Sequence, residues 1–268
     1  MKDHIKEIID ANFSCEENKN RIREYIQKYL LYILFKKKIY KELVFTGGTA
    51  LRIIHKIKRF SEDLDFSLSA KSRGIDFEDM LKILKKELQL SGYSPEIKYS
   101  GDKTVKSAFF KFQGLLFDCG VSSHSDEKIS VKIEVDTNPP AGGKEEVILC
   151  NSVFMFYILH YDLPSLFAGK LHAVFFREYT KGRDWYDLLW YLNKYNLTPN
   201  FVMLNNAIKQ TSTEYPEVNE KNWKSELRKV IESADIKKAR NDVRRFLDDP
   251  AEIEFLTKEN LYKALKKS

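Results

Sequence analysis

Between Glu42 and Leu68 the sequence changes its period twice, and this restricts the fold more than any other feature of the chain. Glu42 to Thr46 reads as a short strand and Gly47-Gly48 as a turn, after which Ala50, Ile53, Ile54 and Ile57 mark the inner face of a helix. Asp63 to Leu68 then reads as a second strand, with Leu64 and Phe66 alternating with Asp63 and Asp65. Side chains two apart on a strand leave the same face, so two carboxylates are crowded on one side of it. They repel unless a cation joins them. Oxygen ligands of this kind favour Mg²⁺ or Mn²⁺, which complete their coordination with water and substrate phosphates. Gly47 and Gly48 lack a Cβ, so a phosphate can approach the backbone, and the N–H groups opening the next helix point towards that anion. Thr49 can add its hydroxyl.

Residues 1 to 40 read as helical, with Ile22, Ile26, Tyr29 and Ile33 at helical spacing before Lys36-Lys37-Lys38 closes the run. Asp76 is placed to cap a helix whose Phe77, Leu81, Leu84 and Leu88 form one stripe, ending near Ser91-Gly92. Strands follow at Ser107 to Phe112 and at Ile129 to Asp136, where Ile129, Val131, Ile133 and Val135 alternate with Ser130, Lys132, Glu134 and Asp136. Glu134 projects from the polar face of this otherwise buried strand and is the first candidate for a third metal carboxylate, with Asp136 the alternative. Asn138 to Gly143 is the clearest loop, and Val147 to Leu159 returns as another strand pair. From Leu163 the period is helical: Leu163, Phe167, Leu171 and Val174 share one face, as do Trp185, Leu188, Leu189 and Leu192. The expected fold is α/β of the α+β kind, a mixed-sheet part with N-terminal helices over residues 1–160 and a helical part over 161–268.

At 268 residues, 43% hydrophobic and 31% charged, the chain has the composition of a folded protein and the length for two cores. The apolar run Tyr29 to Phe35 is far short of the ~20 residues a membrane span needs. No cleavable hydrophobic segment is evident, and Cys15, Cys119 and Cys150 lack the paired spacing of a zinc site or disulfide framework, so a cytoplasmic protein is expected. Arg228, Lys229, Lys237, Lys238, Arg240, Arg244 and Arg245 concentrate positive charge that can guide an RNA backbone or form a solvated helical face. His55, His160 and His172 show no ligand spacing and are read as core or surface histidines.

Taken singly, each motif has an ordinary reading: Gly-Gly as a tight turn, Asp-x-Asp as a solvated strand face, Lys170 as a surface lysine and Asp184 as a helix cap. Their joint order is more specific. Gly47-Gly48-Thr49-Ala50-Leu51-Arg52 followed by Arg59-x-Ser61-Glu62-Asp63-Leu64-Asp65-Phe66 resembles the first motif of the AbiEii/AbiGii toxin family of DNA-polymerase-β-like nucleotidyltransferases. Leu163-Pro164, Lys170-Leu171-His172-Ala173 and Arg183-Asp184-x-x-Asp187-Leu188 are similar to that family's later motifs, in the same order. The likeness covers about residues 40 to 195.

The resemblance implies a polymerase-β-like core followed by a helical domain that contributes to the active-site cleft. It also implies that Asp63 and Asp65 hold metal, that Gly48 and Thr49 contact the nucleotide phosphates, and that Lys170 binds phosphate. Asp184 would complete the catalytic set, supported by Arg183 or Asp187. A serine near the metal carboxylates can be modified by the antitoxin in related toxins, which makes Ser61 a regulatory candidate. The activity implied is that of a Mg²⁺-dependent nucleotidyltransferase toxin of a toxin–antitoxin or phage-defence system, moving a nucleotide from an NTP to an acceptor. The tRNA 3′ end is the leading acceptor and an antitoxin encoded nearby the expected partner. A small-molecule or protein hydroxyl acceptor is the alternative within enzymes; a non-catalytic nucleotide- or RNA-binding module is the alternative outside them.

Overall fold

The computed structural model describes residues 2–101 and 103–268. In chain order the elements begin with α1 (Lys2–Glu7), α2 (Cys15–Lys36), β1 (Leu43–Thr46), α3 (Gly47–Ile53), β2 (Asp63–Leu68), α4 (Phe77–Leu90), β3 (Glu96–Ser100) and β4 (Val105–Gln113). Next come α5 (Leu115–Asp118), β5 (Lys128–Asp136), β6 (Glu145–Asn151) and β7 (Met155–Tyr161). Helices α6 (Leu163–Phe176), α7 (Gly182–Leu192), α8 (Phe201–Thr211), α9 (Trp223–Ser233), α10 (Ile236–Val243) and α11 (Lys258–Lys267) complete the chain. Two compact units result. One comprises residues 1–56, 60–138 and 145–160; the other comprises 57–59, 139–144 and 161–268.

The first unit is built on a seven-stranded sheet in the order β3-β4-β5-β2-β1-β7-β6. It is mixed, as expected: β2 runs parallel to β5 and antiparallel to β1, and β1 is parallel to β7. Ile129, Val131, Ile133 and Val135 are buried while their alternating polar neighbours are half-exposed, so strict alternation in β5 reports one covered face. The cover includes α2, which packs on β5 and buries Ile22, Ile26, Tyr29 and Ile33. Ser14 starts α2 by accepting from the Glu17 N–H, and Asp76 starts α4 by accepting from the Asp79 N–H.

Two helix limits differ from expectation. Residues 1 to 40 are not one helical run, because Asp10 turns the chain by accepting the Asn12 N–H and the Phe13 N–H bonds back to the Asp10 carbonyl. The helix after Gly47-Gly48 ends at Ile53 rather than including Ile57, since Lys56 takes a left-handed conformation with φ +57°. Ile57 is nevertheless fully buried, which is why its apolar character mimicked a longer helical stripe.

In the second unit, Phe167 stacks on Tyr191 with centroids 4.6 Å apart and meets Trp223 edge-on at 6.0 Å. Leu171, Leu188, Leu204, Leu227 and Ile231 fill the core around them, whereas Leu189 lies at its margin and is only half-buried. Asp162 caps α6 by accepting from the Ser165 N–H. Gly182, opening α7, lets α10 approach so closely that a Cβ there would meet the Ala239 backbone, with the carbonyl carbon at 3.0 Å.

Candidate active site

The first group of site residues lies on the half-exposed face of β2 and β5. Asp63 and Asp65 alternate with the buried Leu64 and Phe66, so both carboxylates leave one side of β2. The parallel register sets Asp63 beside Lys132, Asp65 beside Glu134 and Ser67 beside Asp136. Directly paired residues share a sheet face, which puts Asp63, Asp65 and Glu134 together and leaves Asp136 one pair further along.

Gly47 is fitted to this face for two reasons. Its φ is +72°, and an added Cβ would lie 2.9 Å from Asp65 Cγ and closer still to Oδ2. The Asp65 carboxylate therefore rests directly against the strand-to-helix turn. At the start of α3, Thr46 holds an extended conformation and its own side chain makes no capping hydrogen bond. Thr49 differs from its expected role: it is fully buried, and its hydroxyl donates to the Asp63 carbonyl, tying α3 to β2. Ser61 is buried too, with its carbonyl accepting from Gln27 Nε2 at 3.0 Å.

Sequence reasoning missed Lys132. Its Nζ stands 2.6 Å from Glu134 Oε1 and lies over the Phe109 ring, 5.4 Å from the centroid. Burial works against its charge, but Glu134, Asp63 and Asp65 outweigh that and hold its pKa above the ordinary lysine value. The signal was legible as a lysine two residues before Glu134 on the same polar face. Among the described residues no ready cluster of three acidic, histidine or cysteine ligands exists. Glu134 is turned to Lys132 instead. The donor set itself suits a hard divalent cation, being all carboxylate oxygen with one member cradled by a glycine turn.

The second group belongs to the helical unit. Lys170 on α6 is not a surface lysine: its side chain is 11% exposed, and Nζ lies 2.6 Å from Asp184 Oδ1 and 2.8 Å from Asp187 Oδ2. Arg59 grips Asp187 with two hydrogen bonds, Nε to Oδ1 at 2.7 Å and an Nη to Oδ2 at 2.6 Å, and both side chains are buried. Arg177 Nε is 3.0 Å from Asp184 Oδ2, without the alignment of a hydrogen bond. Burial raises the cost of ionising both Lys170 and Asp184, yet each charge is held by the other. The ammonium pKa is raised with help from Asp187, and the Asp184 pKa is lowered with help from Arg177. Asp184, Arg177 and Lys181 also line a cavity of about 330 Å³ within this unit. Arg183 is stacked away over Phe246, its guanidinium carbon 4.3 Å from the ring centroid.

The C-terminal basic residues divide. Lys237, Arg240 and Arg244 join Lys258 along a groove of about 550 Å³ also lined by Ile236, Ile253, Leu256 and Glu254, the last paired with Arg240 at 2.7 Å. Lys229 instead pairs with Glu226, and Arg228 lies over Tyr262. His160 is buried with its ring edge-on to His55, and His172 bonds to the Thr211 hydroxyl. No helix among the described residues is long and apolar enough to cross a membrane.

The fold has solved counterparts. Similar structures are those of JHP933 from Helicobacter pylori (TM-score 0.54, 20% identity, covering 92% of each chain) and of an H. pylori protein provisionally assigned as a nucleotidyltransferase. The latter has a TM-score of 0.53 and 20% identity, over 91% of this chain and 94% of that one. No curated protein matches the sequence. The family described as nucleotidyl transferase AbiEii toxin, type IV toxin–antitoxin system, matches residues 29–259, most of both units. The Gly47 turn, the Asp-x-Asp strand and the Lys170–Asp184 pair all lie within that match, and the chain belongs to the AbiEii family of nucleotidyltransferase toxins.

Proposed function

We propose that the protein transfers a nucleoside monophosphate from an NTP to a hydroxyl acceptor, the tRNA 3′ end by first preference, at the face where Asp63, Asp65 and Glu134 adjoin Gly47. The observation that carries this reading is the register of Asp65 beside Glu134 with its carboxylate against the Gly47 turn. Asp63 and Asp65 would hold a divalent cation, Mg²⁺ or Mn²⁺, and Glu134, now paired with Lys132, would be the third ligand. Bound there, the ion supplies Lewis-acid polarisation of the α-phosphate.

Gly47 and Gly48 give the terminal phosphates close access to the backbone, and Thr49 serves through its N–H, since its hydroxyl already bonds to Asp63. The acceptor oxygen forms a bond to the α-phosphorus as the bond to the β-phosphate oxygen breaks. Pyrophosphate leaves, and the hydroxyl proton passes to a neighbouring carboxylate or to water. Lys170 meets a phosphate by exchanging one of its two carboxylate partners for phosphate oxygen, while Asp184 keeps it oriented. The groove carrying Lys237, Arg240, Arg244 and Lys258 supplies phosphate-backbone contacts for an RNA acceptor. An antitoxin from a neighbouring gene is the expected partner; Ser61, buried in this structure, could be its target only if the segment before β2 opens.

The test is to incubate the protein with each α-labelled NTP, Mg²⁺ or Mn²⁺ and total tRNA. Label should enter RNA and disappear with Asp63→Ala or Asp65→Ala. Label on protein or a small molecule would move the acceptor to that class. No label with any NTP would sink the catalytic reading.

A further inference from the structure

The two ends of the seven-stranded sheet are finished differently. At one end β3 carries Glu96 and Lys98, with Glu96 also bound by Lys128, a charged edge of the kind that discourages pairing. At the other end β6 reads Glu-Glu-Val-Ile-Leu-Cys-Asn, with no Lys, Arg or Pro. Val147 is 58%, Ile148 37% and Leu149 44% exposed, so three consecutive apolar side chains meet solvent on both faces of an edge strand. Val153, Met155 and Tyr157 extend the patch along the same hairpin. Scattered exposed apolar residues are ordinary, but six on one hairpin mark a contact surface.

The hairpin is held in place. Phe154 at its turn packs against Tyr25, Tyr29 and Tyr32 of α2, with centroids 5.3 to 5.5 Å away, and Tyr157 packs against Phe35. Glu145 accepts from the Ser69 hydroxyl and the Ala70 N–H, fixing the start of β6. An edge ordered in advance loses little entropy when it is paired.

We propose that β6 is the contact strand of a two-fold dimer, pairing antiparallel with β6 of a second copy about Ile148 and joining two sheets into one. The charge pattern of β6 accommodates a second copy in one direction only. Centred on Ile148, antiparallel self-pairing sets Glu145 opposite Asn151, Glu146 opposite Cys150 and Val147 opposite Leu149, so no acid faces an acid. A parallel arrangement would set Glu145 and Glu146 against their own copies, which is unfavourable. The antiparallel contact is isologous and closes at two copies. Main-chain hydrogen bonds continue the ladder, and Val147 of each copy packs beside Leu149 of the other across the new strand pair.

Sedimentation velocity over a micromolar concentration series tests this. The wild-type protein should show a monomer–dimer equilibrium, and Ile148→Lys, which sets two lysines opposite each other, should weaken it at least about tenfold with unchanged circular dichroism. In a Cys15→Ser background, Ile148→Cys should form a disulfide-linked dimer on oxidation, because position 148 alone faces itself. A wild-type protein that stays monomeric throughout would overturn the proposal, as would a dimer indifferent to Ile148→Lys. Dimerisation without the Ile148→Cys crosslink would overturn this register. Binding of an unrelated strand to a monomeric protein would assign the edge to another partner.

Discussion

Lys132 Nζ lies 2.6 Å from Glu134 Oε1, on the sheet face that also carries Asp63 and Asp65. A single ammonium thus balances part of the charge of three carboxylates and engages the one that would act as third ligand. A divalent ion entering there competes with it. Lys132→Met, which keeps the apolar stem, should raise Mn²⁺ affinity by about tenfold, the order expected when one unit charge is removed a few ångströms away in a partly solvated site. Lys132→Arg should leave it near the wild-type value. Calorimetric titration gives the answer, and unchanged or weaker binding by Lys132→Met would refute the competition.

Gly47 is the position where the turn and the carboxylates constrain each other most tightly. Gly47→Ala meets a positive φ, costing about 1–2 kcal/mol, and its Cβ cannot coexist with Asp65 Oδ2 where it now stands. Asp65 must move. The expected result is a folded protein with a modestly lower melting temperature and nucleotidyl transfer down about 100-fold, the usual scale for misplacing a reacting group by about 1 Å. Near-normal transfer by Gly47→Ala would separate Asp65 from the reaction.

Much of this was legible in the chain. The alternation in β5, the Asp76 cap and the change from strand to helix around Gly47 follow from local rules that tertiary packing reinforces here. What escaped was set by partners distant in sequence. Lys170 on α6 has the spacing of a surface residue, and only Asp184 and Asp187 from α7 make it a buried cation. Arg59 lies 128 positions from Asp187, a separation that no periodicity reports. Thr49 was expected to offer its hydroxyl to a ligand, but a neighbouring strand carbonyl reaches it first.

The Arg59–Asp187 pair makes an ordered prediction about stability. Asp187 neutralises two cations, Arg59 and Lys170, so Asp187→Asn leaves both with less compensation in a buried site and should cost about 3–5 kcal/mol. Arg59→Ala should cost less, because Asp187 keeps Lys170. Arg59→Lys should recover only part of the loss, since an ammonium cannot form the two parallel bonds of a guanidinium. Urea denaturation of the three variants checks the order, and a larger loss for Arg59→Ala than for Asp187→Asn would contradict the charge argument.

The same cluster fixes a pH dependence. Asp184 has its pKa lowered below the ordinary 3.8, so its contribution is present above that value and is lost as pH falls through the lower folded-state pKa. Lys170 has its pKa raised above the ordinary 10.5, so its contribution is complete below that value and is lost as pH rises through the higher one. Between about pH 5 and pH 9 the cluster should therefore stabilise the helical unit by a constant amount. Trp185, Trp190 and Trp223 are the protein's only tryptophans and all belong to this unit, so urea unfolding followed by their fluorescence reports on it directly. Asp184→Asn should be less stable than wild type at neutral pH, and the difference should narrow below about pH 4 as the wild-type carboxyl takes up a proton. A difference that stayed constant from neutrality to pH 3 would mean that Asp184 gains nothing from its cationic neighbours.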